Sequence, residues 1–291
     1  MKKLAFIYII LAGITWGTSG IFVNLLAPYG FTSPQLTAIR ATVSLVSIGL
    51  FILIKEKKAF KATPKEIILF LGSGVTLFGT STCYYVSMQM TSISTAVVLM
   101  YTAPVIVMIF SVAFLGEKLT KLKTLSVFLM VLGCGLVSGI IGGLKFDFFG
   151  ILIGMLSGIC YSAYNILTKI QMEKGIRSTT ASFYNFLITS VISLIISNPV
   201  KLGANAASEP AVVIPLMIAL GVVTYVIPYV LYTNSMKYLP AGTASALGIV
   251  EPMAATVFSI VIFNEKLSVP SAIGIILILA AVLMLSRTEN E

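Results

Sequence analysis

The sequence contains no histidine, only three cysteines and little charge. Lys, Arg, Asp and Glu together make up 10% of the 291 residues, whereas soluble globular domains carry about 25%. Histidine is the commonest metal ligand and a frequent general base, so its absence argues against most catalytic and metal-binding chemistry. Cys83, Cys134 and Cys160 lie singly in apolar stretches, which favours buried small side chains over a disulfide framework or a zinc site. We therefore predict neither a metal nor a cofactor.

Hydrophobic residues, by contrast, are abundant. They make up 58% of the chain, and the mean hydropathy is +1.04. A chain of this size with so few charges cannot cover a water-facing surface, so the sequence predicts an integral membrane protein whose surroundings are the lipid bilayer. The net charge of +9 could suggest binding to nucleic acid, but the lysines lie in short loops between apolar runs. Such lysines indicate membrane orientation, and we predict no nucleic-acid partner.

Ten apolar runs have the length of about 20 residues that a helix needs to cross a hydrocarbon core of about 30 Å. The predicted fold class is therefore all-α integral membrane, with ten transmembrane helices. We number the runs as spans 1 to 10 and predict them at residues 4–26, 34–54, 66–88, 92–115, 122–141, 147–168, 178–197, 211–235, 241–263 and 268–286.

The distribution of basic residues predicts the orientation. If the N-terminus is cytoplasmic, the cytoplasmic segments hold fifteen Lys and Arg residues, and the outer segments hold three, Lys145, Lys201 and Lys266. Cytoplasmic loops of membrane proteins are enriched in Lys and Arg, so this bias supports ten spans with both termini in the cytoplasm. We predict a multi-pass protein of the cell (plasma or inner) membrane.

The second half of the chain repeats the first. Leu99-Met-Tyr-Thr-Ala-Pro104 recurs 148 residues later as Leu247-Gly-Ile-Val-Glu-Pro252, and the same offset pairs Tyr84 with Tyr232. Leu115-Gly-Glu-Lys-Leu-Thr120 likewise recurs as Phe263-Asn-Glu-Lys-Leu-Ser268. The two Glu-Lys pairs end spans 4 and 9 on opposite membrane faces, which indicates interfacial ion pairs that anchor or gate these helices.

This repeat predicts two units of five spans each, at residues 1–144 and 145–291. Because five is odd, the two units cross the membrane in opposite directions and form an inverted-topology repeat. Exchanging the conformations of two such units turns an outward-open protein into an inward-open one, which is alternating access. An integral-membrane enzyme or a structural protein has no comparable need for inverted units.

The motifs in these units resemble those of the paired EamA domains of the drug/metabolite transporter superfamily. The resemblance covers essentially the whole chain and implies a ten-helix bundle with a central cavity formed chiefly by spans 1, 3, 4, 6, 8 and 9. Members of this branch export amino acids and other metabolites, and relatives carry nucleotide sugars, triose phosphates or S-adenosylmethionine. The resemblance rests on these motifs: Trp16-Gly17, Arg40, Pro104, Gly116-Glu117-Lys118, Glu251-Pro252 and Glu265-Lys266.

Two charged residues lie inside spans, where an ionised side chain usually faces a cavity or a partner. Glu251, near the middle of span 9, could carry a proton or balance a substrate ammonium. Alternatively, its carboxyl could bond the backbone that Pro252 leaves unpaired. Arg40, about six residues into span 2, could bind a substrate carboxylate or phosphate or pair with Glu251. Its alternative is a snorkelling or a structural arginine near a helix end.

Polar and aromatic residues recur at helical spacing along several other spans. Hydroxyls and ring edges that face lipid are wasteful, so these faces are predicted to line the cavity, with interhelical contact as the alternative. The Gly13, Gly17, Gly20, Asn24 stripe of span 1 indicates close helix packing instead. Besides Arg40 and Glu251, the predicted substrate-binding residues are Trp16, Thr80, Tyr84, Tyr101, Tyr161, Asn165, Tyr225 and Tyr229.

Together these features predict a secondary active transporter that exports or exchanges a small polar metabolite, with an amino acid or derivative as the first choice. Coupling to protons is one option, and the protein is expected to be a monomer or a homodimer. The sequence has no G-x-x-x-x-G-K-[ST] motif, so it does not hydrolyse ATP through a P-loop. The alternatives are a facilitator or uptake carrier for a nucleoside, an S-adenosylmethionine-like or a cationic compound, and an integral-membrane enzyme. The enzyme is disfavoured because histidine, clustered carboxylates and a cysteine–base pair are missing.

Overall fold

The computed structural model describes residues 2–91, 93–137, 147–264 and 267–288. Within these ranges the chain forms helices and no strand. Eight helical units are long and apolar enough to cross a membrane, and Val269–Leu285 is a shorter apolar helix. The helix Lys121–Val137 begins where span 5 is predicted, and residues 138–141 of that span lie outside the described ranges. The prediction of an all-α, multi-pass membrane protein is confirmed.

The helices follow the predicted spans closely, but several spans consist of more than one helix. Short helices outside the spans are Ala27–Tyr29, Lys57–Phe60 and Pro199–Ala206. In chain order, spans 1 to 10 comprise Lys2–Gly17 with Ser19–Leu26, Ser33–Lys55, Pro64–Met90, Ile93–Met100 with Ala103–Phe114, Lys121–Val137, Phe148–Glu173, Ser178–Ile196, Pro210–Gly221 with Val222–Val226 and Ile227–Ser235, Ala241–Leu247 with Val250–Phe263, and Val269–Thr288.

Local sequence explains where the helices begin. Span 3 starts at Pro64, which needs no hydrogen-bond acceptor for its nitrogen in the first turn. The preceding Thr63 and the following Glu66 form a capping box, in which the Thr63 backbone N–H donates to the Glu66 carboxylate at 2.6 Å. Span 2 starts in the same way with Thr32 and Gln35. Each box satisfies N–H groups that the first turn of a helix leaves without partners.

Four spans are interrupted near the centre of the bundle, and proline explains three of the interruptions. Pro104 and Pro252 each lack the N–H that would bond the carbonyl four residues earlier, and spans 4 and 9 break just before them, at residues 101–102 and 248–249. Pro228 lies just past the π-helical turn Val222–Val226 of span 8. In span 1 the Ser19 hydroxyl donates to the Trp16 carbonyl at 2.5 Å, a bond that competes with the helical ladder at the break.

The glycine stripe of span 1 packs against span 9. A Cβ atom on Gly13 would lie 3.0 Å from Val250 Cβ, and one on Gly17 would lie 2.8 Å from Ala254 Cβ. Gly158 of span 6 approaches span 4 in the same manner, with the Leu99 carbonyl oxygen 2.8 Å from its hypothetical Cβ. The predicted close packing is confirmed for Gly13 and Gly17. It is wrong for Gly20, which has no atom within 4 Å of its hypothetical Cβ.

Spans 5 and 10 cross so closely that alanine has no room at their contact. A Cβ atom on Gly133 would lie 2.8 Å from the Gly274 carbonyl oxygen and 2.9 Å from Ile278 Cγ1. Backbone atoms cannot move aside cheaply, so we expect Gly133→Ala to lower the free energy of unfolding by about 1–3 kcal/mol. Thermal unfolding in detergent measures this change. Gly203→Ala is the control, since its new Cβ would meet nothing within 4 Å, and equal unfolding temperatures for both variants would contradict the prediction.

Candidate functional site

A cavity of about 490 Å³ lies at the centre of the bundle. Its volume is within the range of roughly 300–1,000 Å³ that is usual for small-molecule sites. The lining residues come from spans 1, 2, 3, 4, 5, 6, 8 and 9. They are Trp16, Gly17, Ser19, Gly20, Val23, Arg40, Thr80, Ser81, Tyr84, Tyr85, Met88, Val97, Met100, Tyr101, Val137, Tyr161, Tyr225, Tyr229, Glu251, Pro252, Ala255 and Thr256.

The cavity occupies one half of the bundle. Val23 and Met88 lie near the ends of spans 1 and 3, and Val97 lies near the start of span 4. These positions share the end of the bundle that holds residues 27–32 and 197–209, which is the predicted outer face. Gly20 is exposed at this end. In the opposite half, residues such as Asn165 and Thr168 are fully buried, so the bundle is closed toward the predicted cytoplasmic face.

Arg40 brings a positive charge to the cavity wall. Its side chain is buried, with 8% of its surface exposed, and its guanidinium donates a hydrogen bond to the Tyr85 hydroxyl. Its Cζ atom lies 5.1 Å from the ring centroid of Tyr225 and 5.9 Å from that of Tyr85, distances at which aromatic faces attract a cation. The guanidinium faces this aromatic cage, so the snorkelling alternative is wrong, whereas a structural role remains the alternative to anion binding.

Among the described residues, no carboxylate forms an ion pair with Arg40. The ion pairs among the described residues are Lys123–Glu117, Lys169–Glu173 and Arg177–Glu56, and the Arg40 Nε atom has no hydrogen-bond partner there. Arg40 and Glu251 therefore do not form the direct ion pair that was one of the predicted roles of Arg40. A buried guanidinium with unused donors is suited to bind an anion from the cavity, because it offers a planar fork to a carboxylate.

Glu251 supplies the negative charge on the other side of the cavity. It follows the break in span 9 and lies in the first turn of Val250–Phe263, where the helix dipole favours a carboxylate. The Tyr101 hydroxyl donates to its Oε2 atom at 2.7 Å. The Gly248 carbonyl that Pro252 leaves unpaired accepts from the Glu251 backbone N–H at 3.0 Å. The hydrogen bond that the structure gives the Glu251 carboxyl is the one from Tyr101, and the side chain lines the cavity.

Aromatic rings form the floor between the two charges. The ring centroids of Trp16 and Tyr229 lie 5.2 Å apart at an interplanar angle of 77°, and those of Tyr225 and Tyr229 lie 4.9 Å apart. Trp16 also packs on Tyr232, which lies below the floor, at 5.4 Å. The Trp16–Tyr229 contact is edge-to-face, an arrangement that is more favourable than a face-to-face stack. The residues of the floor come from spans 1 and 8.

The structure brings nine of the ten predicted site residues to the cavity, and Asn165 is the exception. Asn165 is fully buried one helical turn deeper than Tyr161. It accepts a hydrogen bond from the Tyr232 hydroxyl at 2.6 Å and donates to the Tyr161 carbonyl at 2.8 Å. Helical spacing correctly placed Asn165 on the same face as Tyr161, but the cavity ends between the two residues. The prediction that Asn165 lines the cavity is wrong, and its side chain joins spans 6 and 8.

Tyr85 is the most important lining residue that the sequence analysis missed. Span 3 also contributes Ser81 and Met88, and the Ser81 hydroxyl is 3.3 Å from the Tyr225 hydroxyl. Ser81, Tyr85 and Met88 follow one another at spacings of four and three residues, so this face could have been recognised as a stripe.

No group of three or more His, Cys, Asp or Glu residues that could hold a metal ion occurs in the part of the chain that the structure describes. The chemical resources of the site are thus one cation, one carboxylate, several hydroxyls and aromatic faces. Such a set is suited to contact a polar molecule through charge, hydrogen bonds and aromatic faces.

Comparison with known proteins gives consistent results. A model of the EamA-like transporter family matches residues 3–139 and 148–287. An uncharacterized transporter of Archaeoglobus fulgidus is 28% identical over 279 residues, which cover 96% of this chain and 95% of that protein. The threonine/homoserine exporter RhtA of Escherichia coli K12 is 28% identical over 258 residues, or 86% of this chain and 80% of RhtA. One solved crystal structure superposes with a TM-score of 0.81 at 18% identity over 98% of this chain and 97% of that one, which shows a shared fold.

Proposed function

The chain belongs to the EamA-like transporter family, and from this premise we propose that it is a secondary active transporter that exports or exchanges an amino acid or a closely related zwitterion by alternating access. The observation that carries this proposal is the central cavity, in which Arg40 and Glu251 face the same space without pairing. Similarity to a threonine/homoserine exporter supports the same class of substrate.

A zwitterion matches the charges of the cavity. Its carboxylate would take the unused donors of Arg40, while its ammonium would lie at Glu251 and the Tyr101 hydroxyl. Each buried charge would then have a partner, which lowers the cost of keeping it away from water. The aromatic floor of Trp16 and Tyr229 would receive the remaining apolar part of the substrate. A molecule with only one of the two charges would leave either Arg40 or Glu251 without a partner.

The transport cycle follows from the inverted repeat. The cavity now lies toward the predicted outer face, and exchange of the two five-span units would place it toward the predicted cytoplasmic face. The interrupted helices of spans 1, 4, 8 and 9 surround the cavity, so the bundle can bend where the substrate binds. Energy would come from a gradient or from exchange of one substrate for another, and Glu251 is the residue positioned to carry a proton.

A carrier of organic cations is a second candidate, favoured by the aromatic floor beside Glu251. Aromatic faces together with a carboxylate attract quaternary and other soft cations. Arg40 argues against this candidate, because a second cation in the same cavity would be repelled. Nucleosides and S-adenosylmethionine-like compounds are further candidates, and the unfolding experiment described next includes them.

Ligand-dependent unfolding of the purified protein tests the proposed substrate class. A ligand at 100 times its Kd stabilises the native state by about 2.7 kcal/mol, so a true substrate should raise the unfolding temperature clearly. We expect one or more amino acids to do so and then to drive counterflow in liposomes. The controls are the corresponding amines, which lack the carboxylate, and the corresponding carboxylic acids, which lack the ammonium. Stabilisation by an organic cation or a nucleoside, with none by any amino acid, would reject the proposal.

The proposed orientation has a separate test. Reporter domains fused after Lys61 and after Lys121 should read cytoplasmic, and a reporter inserted at residues 198–209 should read external, because basic residues concentrate in the former segments. Reporters for both compartments, used in parallel, provide the control. An external signal after Lys61 would overturn the orientation and exchange the two named faces.

Cysteines introduced on the floor should be reachable through the cavity. In a variant without Cys83, Cys134 and Cys160, we expect Tyr225→Cys and Tyr229→Cys to react with a polar thiol reagent, and bound substrate should slow the reaction. Ser245→Cys is the control, since Ser245 is fully buried below the cavity and the substitution changes one atom. Equal inertness of all three cysteines would show that the tyrosines only pack between helices.

A further inference from the structure

The turn that joins spans 8 and 9 is clamped from two sides at the closed end of the bundle. The Lys169 ammonium of span 6 donates to the Met236 and Leu239 carbonyls, each at 3.0 Å. On the other side, Glu117 Oε1 accepts a hydrogen bond from the Ala241 backbone N–H at 2.6 Å. Both ends of the turn therefore have their free backbone groups satisfied by a charged side chain.

Glu117 connects the two halves of the repeat. Its second carboxylate oxygen, Oε2, forms an ion pair with Lys123 Nζ at 3.0 Å, and the two side chains are only 9% and 5% exposed. The predicted partner, Lys118, is not the one that Glu117 uses. Glu117 and Lys123 belong to the first half, whereas Ala241 is the first helical residue of span 9 in the second half.

Spans 4 and 9 touch at this end and separate at the other. A Cβ atom on Gly242 of span 9 would lie 3.3 Å from the Met108 Cα atom of span 4, so the two backbones are in contact here. Toward the other end, Val97 of span 4 and Thr256 of span 9 line the cavity. Alternating access requires the reverse arrangement, in which these two spans part where Glu117 now joins them.

The lysine of this ion pair is not repeated in the second half of the sequence. The offset of 148 residues that relates the halves places Ser271 where the first half has Lys123, and Ser271 bonds the Ser268 hydroxyl at 2.8 Å. The counterpart of Glu117 is Glu265, which lies outside the described residues together with Lys266. A buried carboxylate that satisfies both a lysine and a helix N-terminus is expensive to release, because both partners lose their acceptor.

We propose that Glu117 is a positioning residue of the transport cycle: with Lys123 it holds span 9 against span 4, keeps the predicted cytoplasmic end closed, and is released when the cavity opens there. The inference rests on alternating access as proposed above. It assigns to Glu117 no contact with the substrate. It also makes the state with the cavity toward the predicted outer face the resting state of the empty protein.

The test compares access from the two ends. In a variant without Cys83, Cys134 and Cys160, Thr256→Cys reports on the cavity and Thr168→Cys reports on the closed half, where Thr168 is fully buried. We expect Glu117→Gln to raise the ratio of Thr168→Cys to Thr256→Cys labelling about tenfold, because Gln keeps the shape but loses the charge-assisted bonds. Lys123→Gln, which leaves Glu117 in place to bind Ala241, should change the ratio in the same direction.

Glu66→Gln is the matched control. Glu66 also accepts from a backbone N–H at the start of a helix on the same predicted face, but its hydrogen-bond partner, Thr63, belongs to the start of the same helix. Glu66→Gln should leave the labelling ratio unchanged. The role of Glu117 would be overturned if Glu117→Gln changed labelling in the same direction at both reporters. It would also be overturned if Glu66→Gln changed the labelling ratio as much as Glu117→Gln does.

Transport assays keep this inference separate from the proposed function. A reciprocal labelling change in a protein that carries no amino acid would support the role of Glu117 and reject the substrate class. Amino-acid transport by a protein whose Glu117→Gln variant shows no reciprocal change would reject the role of Glu117 alone.

Discussion

Glu251→Gln is expected to abolish gradient-driven accumulation of substrate in liposomes while the protein stays folded and inserted. Glutamine has nearly the same shape as glutamate and can still accept the hydrogen bond that the Tyr101 hydroxyl donates at 2.7 Å. It can neither release a proton nor balance the ammonium of a zwitterion. The expected loss of accumulation is therefore at least tenfold, the factor that corresponds to about 1.4 kcal/mol, and it should occur without a large change in unfolding temperature.

Counterflow separates the two roles that Glu251 can have. A variant that has lost only proton coupling still exchanges labelled for unlabelled substrate, whereas one that has lost ammonium binding does not. Glu209→Gln is the control, because Glu209 is exposed before the helix Pro210–Gly221, where it accepts from the Tyr29 hydroxyl at 3.3 Å and does not line the cavity. Accumulation and pH dependence of the wild-type kind in Glu251→Gln would leave Glu251 as a structural residue beside the break in span 9.

Arg40→Lys is expected to weaken substrate binding about tenfold to hundredfold although the charge is kept. Lysine offers a point charge and three donors on a flexible stem, whereas the guanidinium presents a planar fork to a carboxylate. Lysine also stacks less well on Tyr85 and Tyr225. Charge-assisted hydrogen bonds contribute about 1.5–3 kcal/mol each, so the loss of one corresponds to the expected range. Binding measured by counterflow competition checks this prediction.

Two further variants sharpen the interpretation of Arg40. Tyr85→Phe removes the hydroxyl that accepts from Arg40 and should have a smaller effect, because the charge stays in the cavity. Arg177→Lys is the control, since Arg177 is 56% exposed on the surface. If the protein with Arg40 intact bound an organic cation and no amino acid, the cation carrier would replace the zwitterion carrier as the function.

Membrane class, span number and repeat could be predicted because each depends on local sequence. Hydropathy over about 20 residues reports whether a segment suits a hydrocarbon core, regardless of its neighbours. The repeat was visible in aligned residues such as Pro104 and Pro252. These prolines also mark where spans 4 and 9 break, since a missing N–H interrupts the helical ladder wherever the helix packs.

The sequence also predicted which side of each span is polar, but not how deep along the span the cavity reaches. Helical periodicity placed Trp16, Tyr161 and Tyr229 on sides that turn inward, and the structure puts all three at the cavity. The same reasoning included Asn165, which lies a turn too deep. Periodicity gives the direction in which a side chain points, whereas the depth at which a cavity ends depends on which helices cross there.

By itself, then, the sequence determined an all-α membrane protein with ten spans, two repeated halves and two charges within the apolar runs. Only the tertiary structure decided the partners of those charges. It placed Arg40 against Tyr85, Glu251 against Tyr101, and Glu117 against Lys123 and the start of span 9. Each of these contacts except the Glu117–Lys123 pair joins residues far apart in the chain. Long-range contacts are fixed by how helices from different parts of the chain pack, and no local pattern of charge or hydropathy encodes that arrangement.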